Sequence, residues 1–108
     1  ERGQRQGQAL AAAKICPGAR TTAKVATLAD GLDGAALKEF EAGRSEVTAG
    51  WDKAFSCTDV DPAQSREING CRKAKILSCS VTWQEIGPEG TAFPGLLEFK
   101  PADPASDP

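Results

Sequence analysis

The 108-residue chain has no histidine, no tyrosine and no methionine. Without histidine, Ser–His and Cys–His nucleophile pairs are excluded. General acid–base chemistry would fall to Asp, Glu or Lys, and the acids sit where amphipathic helices carry solubilising charge. There is no CxxC spacing, which removes a thioredoxin-like redox centre and a c-type haem attachment. Large core formers are scarce, with four Phe and two Trp. A chain this small then has a thin interior and recruits disulfides or a partner. No apolar run is long enough to span a bilayer. The net charge of −2, with both signs interspersed, gives no electrostatic footprint for nucleic acid.

Two glycine-rich stretches also lack a chemistry. "ADGLDG" (29–34) has neither the alternating ligands nor the terminal Glu of an EF-hand, so it reads as helix-capping sequence. "IGPEGTAFPG" (86–95) has no phosphate-cradle pattern with its Lys-Ser/Thr.

What is present is an even set of cysteines: Cys16, Cys57, Cys71 and Cys79. In a small chain that parity predicts two disulfides and an oxidising compartment. Spacings of 41, 14 and 8 with no histidine are wrong for zinc, so neither a metal nor a cofactor is expected. The Ala- and Gly-rich composition suggests a GC-rich bacterial genome, hence a periplasmic or secreted protein read as a mature chain with its leader removed.

Residues 1–8 are polar, contain two glycines and predict a mobile N-terminal arm. Residues 9–16 have high helix propensity and stop at Pro17-Gly18. Thr21, Val25, Leu28, Ala29 and Leu32 recur at helical steps. Over 34–56 the signal is strongest: Leu37, Phe40, Val47, Trp51, Ala54 and Phe55 share an arc of roughly 100°. Gly43 and Gly50 lie beside that stripe, either tolerated locally or marking a strip where another backbone comes close. Asp61-Pro62 is an N-cap and first-turn proline, and Gly87-Pro88 a matching stop. Between them Ile68, Ile76, Cys79, Trp83 and Ile86 share a helical face. Leu77, Cys79, Val81 and Trp83 also alternate as a strand would. Asn69-Gly70 is a candidate interruption, with regular helix from about Cys71.

The expected architecture is therefore one mainly α domain over 1–108. It has a polar arm (1–8), a helical core (9–87), an irregular apolar segment (88–99) with a short strand possible at 96–100, and a proline-rich extended tail (100–108). The core is a disulfide-stapled helical hairpin or three-helix bundle. The alternative is an α+β fold with a β-hairpin formed by residues 75–100. Disulfide pairing depends on that choice. In a continuous helix Cys71 and Cys79 stand about 12 Å apart, beyond the ~7 Å reach of a disulfide. The helical reading then favours Cys16–Cys79 with Cys57–Cys71.

Four residues are candidates for contact with a protein partner. Arg44 and Arg72 fall among apolar positions, where the stem packs and the head escapes or pairs with a carboxylate such as Glu41; alternatively they mark a hot spot. Trp51 and Trp83 are core residues or contacts by the same reasoning. The functional expectation is a non-catalytic accessory subunit or interaction protein of a larger complex. The alternatives are a free-standing periplasmic inhibitor or stress chaperone, and a small carboxylate-dependent enzyme.

The two-disulfide reading has a direct check. Four cysteines in two bonds give a native intact mass that rises by four hydrogens on reduction; an unchanged mass means free thiols.

Overall fold

A computed structural model of the chain describes residues 2–55 and 65–99, with 65–69 described by their backbone alone. Three long helices, one short helix and two short strands follow in the order α1 (Arg2–Ile15), β1 (Ala19–Thr21), α2 (Ala23–Ala26), α3 (Gly34–Phe55), α4 (Ser65–Ile86) and β2 (Leu97–Phe99). The protein is mainly helical, as the spacing and caps predict. Asp61, Pro62 and the tail 100–108 lie outside the described residues.

α1 starts far earlier than expected. Residues 2–8, read from their polarity as an arm, form its first half and bury Gly3, Gln6 and Gly7. The reason is steric rather than hydrophobic: α1 meets α3 nearly backbone to backbone. A Cβ on Gly3 would stand 2.1 Å from the carbonyl oxygen of Phe40, and one on Gly7 would stand 2.6 Å from that of Arg44. Small residues at steps of four let helices approach this closely, and dispersion contacts replace large side chains. From α3, Gly43 meets Gln4, whereas Gly50 faces open space. The close-approach reading thus holds for Gly43 and local tolerance for Gly50.

The α1–α3 contact is completed by a buried amide. Gln6 Nε2 donates to the Val25 carbonyl at 2.9 Å, and its Oε1 accepts from Arg44 Nη1 at 3.2 Å. One side chain with a donor and an acceptor thereby serves two elements. Toward α4, Gln8 Nε2 donates to Thr82 Oγ1 at 3.2 Å and Glu85 Oε1 at 2.9 Å, and Arg5 Nη1 lies 3.5 Å from the same carboxylate oxygen.

The core runs from Ala9 and Ala12 through Cys16 and Ala19 to Val25, Leu28, Phe40, Ile86, Leu96 and Leu97. The spacing from Thr21 to Leu32 does not become one helix. Thr21 belongs to β1, α2 lasts one turn, and i→i−3 bonds such as Leu28 N–H to Val25 C=O and Leu32 N–H to Ala29 C=O continue the path. Turns of that kind repeat every three residues, so they too place Val25 and Leu28 on one side. β1 forms because β2 is there to receive it: Ala19 pairs Phe99, Arg20 pairs Glu98 and Thr21 pairs Leu97, antiparallel. Arg20 and Glu98 add an exposed cross-strand ion pair at 3.2 Å.

The ambiguous stretch before Gly87 is helix. α4 is continuous through Asn69-Gly70, and the 75–100 hairpin does not form. The described strands pair across the chain instead. "IGPEGTAFPG" now has a structural role. The last carbonyls of a helix have no partner within it. Here Gln84 accepts from Thr91 N–H, Glu85 from Ala92 and Phe93, Ile86 from Leu96, and Gly87 from Gly95. The loop returns so tightly that a Cβ on Gly90 would stand 2.4 Å from the Glu85 carbonyl oxygen. That return delivers Leu96 and Leu97, 0% and 1% exposed, to the core.

Two glycines should therefore respond oppositely. Gly7→Leu is expected to destabilise by about 1–3 kcal/mol through overpacking. Gly50→Ala, in open space, is expected to stabilise by up to about 1 kcal/mol through helix propensity. Urea unfolding followed by circular dichroism measures both.

Candidate interaction surface

Cys16, just beyond α1, is bonded to Cys79 in the middle of α4 with Cα atoms 5.7 Å apart. This is the pairing the helical reading of α4 favours. Cys71 is also disulfide-bonded. The expected Cys57–Cys71 bond involves Cys57, which lies outside the described residues. Cys71 Sγ lies 3.5 Å from the Ala54 carbonyl oxygen, so the start of α4 adjoins the end of α3.

Around Cys16–Cys79 the structure leaves a mostly apolar hollow of about 220 Å³, walled by Trp83, Leu97 and Phe99. Trp83 and Phe99 meet tilted at 40° with centroids 4.3 Å apart, and Phe99 is 71% exposed. Half-buried Trp83 both packs against the core and lines this hollow.

The four predicted contact residues separate. Arg44 is half-buried and holds Gln6, so its head is engaged within the protein rather than with Glu41 or solvent alone. Trp51 packs against the core and stands edge-on to Phe55 at 5.0 Å. Across a shallow depression it faces Leu77 and Val81 of α4. Arg72 is exposed on α4. The four do not form one cluster.

Sequence reasoning missed a different group. The inner face of α4 is Thr82, Ile86, Cys79 and Trp83; Ile76, placed with them by its spacing, points outward and is 67% exposed. Leu77 is 67% exposed and Val81 51%. A signal for them was available. Once Cys79 faces inward, residues two positions to either side project roughly opposite on a helix. The helical reading of α4 therefore leaves Leu77 and Val81 outside. Three large aliphatic side chains on one exposed turn and a half are unusual where core formers are so few.

Among the described residues no group of three or more Cys, Asp or Glu is arranged to hold a metal ion. No described helix is long and apolar enough to cross a membrane. No protein-family model matches the chain, and no curated protein or solved structure matches it.

The internal role of Arg44 has a measurable consequence. Arg44→Ala should cost about 1 kcal/mol of stability by removing a charge-assisted hydrogen bond to Gln6. Urea unfolding followed by circular dichroism measures the loss, and the folded variant should keep the native spectrum.

Proposed function

We propose that this chain is a non-catalytic, disulfide-stapled interaction protein of the periplasm or another secreted space. It works as a small accessory subunit, and the outer face of α4 is its contact surface. The carrying observation is the exposure of Ile76, Leu77 and Val81 on a helix anchored at Cys79 and Ile86. Burying a fully exposed side chain of this kind is worth about 1.5–3 kcal/mol, and a partner can supply the part of it that this thin core leaves unrealised. The cross-link between Cys16 and Cys79 supports an oxidising location, since such bonds persist where thiols are not kept reduced. Leu77 and Val81 border the depression that Trp51, Gln8, Thr82 and Glu85 also line, but both are more than half exposed, so the surface can be altered without emptying the core.

The same exposed side chains favour one other reading, a free-standing chaperone that covers apolar segments of unfolding clients. Light scattering of a denaturing client separates the two, because a subunit leaves aggregation unchanged and a chaperone suppresses it. For the subunit reading, native protein should elute with its partner in size-exclusion chromatography of the secreted fraction. Leu77→Asp should elute without it while retaining native circular dichroism. Co-elution unchanged by Leu77→Asp would remove α4 from the contact.

A further inference from the structure

The apolar hollow beside Cys16–Cys79 lies where β2 leaves the sheet. Ala19 pairs Phe99 at the end of the described ladder, and Pro17, Gly18 and Phe99 border the hollow there. β1 offers no strand opposite the residues that follow Phe99. Its chain is bent just before Ala19, whose N–H bonds back to the Cys16 carbonyl at 3.4 Å, with Gly18 at a φ of 78°. Along β2 the side chains alternate. Leu97 and Phe99 both line the hollow, while Glu98 turns to the other face and pairs with Arg20. By that period of two, the next position on the hollow side is 101, about 7 Å beyond Phe99 along an extended chain. That position is a proline, in the run Lys-Pro-Ala-Asp-Pro over 100–104.

We propose that the chain's own continuation past Phe99 covers this hollow, with the Pro101 ring against Trp83 and Phe99 over the Cys16–Cys79 bond. A proline has no N–H to give to a ladder, and none is required where β1 has turned away. Its apolar ring suits walls that include no charged side chain. Aromatic-lined grooves are where proline-bearing extended segments dock. Here the Trp83–Phe99 pair supplies the aromatic wall, and Phe99 is 71% exposed. The same alternation sends Lys100 to the side of Glu98, away from the apolar walls. The cover gives Trp83 and Phe99 an internal partner, and it is independent of what meets the outer face of α4.

Nuclear Overhauser spectroscopy of the full oxidised chain should show cross-peaks from the Pro101 ring protons to the Trp83 indole. A second readout uses fluorescence. The chain has two tryptophans, so Trp51→Phe leaves Trp83 as the reporter. In that background Pro101→Asp should raise the quenching of Trp83 by acrylamide. Ala102→Asp, one position on and directed to the other face, should leave the quenching unchanged. Both variants should keep the native circular dichroism. The cross-peaks are read in the unaltered chain, so the test stands even if Trp51→Phe loosens the core. Absence of Pro101–Trp83 cross-peaks, or an equal response to the two aspartates, overturns the proposal. Cross-peaks that fade on dilution would assign the cover to another copy's residues and overturn it as well.

Discussion

The covalent link between Cys16 and Cys79 is the constraint on which the rest of the molecule is arranged. It joins the end of α1 to the middle of α4, a sequence separation of 63 residues. Closing a loop of that length removes entropy from the unfolded chain worth about 4 kcal/mol in the chain-entropy picture. Domains of ordinary size are stable by only about 5–15 kcal/mol. The bond also sets orientation. With Cys79 facing α1, Thr82, Trp83 and Ile86 face inward with it, and Leu77 and Val81 are turned to the outside. The exposure of these aliphatic side chains is thus a geometric result of where one sulfur is tied.

The second organising element is α1, a helix with little of the usual apolar stripe. It buries glycine, alanine and glutamine where larger proteins bury leucine. Close backbone approach gives dispersion contacts over a short distance, and Gln6 and Gln8 satisfy the polar groups such proximity would otherwise strand. Such an arrangement suits a chain with few large side chains. Its cost is intolerance: any side chain at Gly3 or Gly7 collides with the α3 backbone.

These two features explain what could be read from the residues alone. α3 was legible because Phe40, Val47 and Trp51 repeat at the helical period and use ordinary side-chain packing. α4 was legible through its boundaries, since Gly87-Pro88 marks a stop that the structure retains. The first half of α1 was not legible, because hydrophobic periodicity carries no record of a helix that packs by having no side chains. β1 escaped notice because three residues of strand have meaning only beside Leu97–Phe99, nearly eighty positions away. Of the proposed contact residues, Arg44 and the two tryptophans were found as partly apolar, partly polar positions, which describes internal linkers as well as contacts. The exposed aliphatics of α4 were hidden by two patterns at once: Ile76 shares the helical spacing of the core, while Leu77 and Val81 share a strand alternation with Cys79.

The loop that returns from Gly87 to Leu97 gives α4 a gradient along its length. Its last turn has its carbonyls filled by that loop, and the loop in turn carries core residues and a strand. Near Gly70 to Leu77 the helix is mostly exposed. Amide protons at the two ends of one helix should then answer to different events, with global opening releasing the last turn and local fraying sufficing nearer its start. Hydrogen exchange along α4 would read out where the cooperative body of this protein ends and where its adaptable part begins.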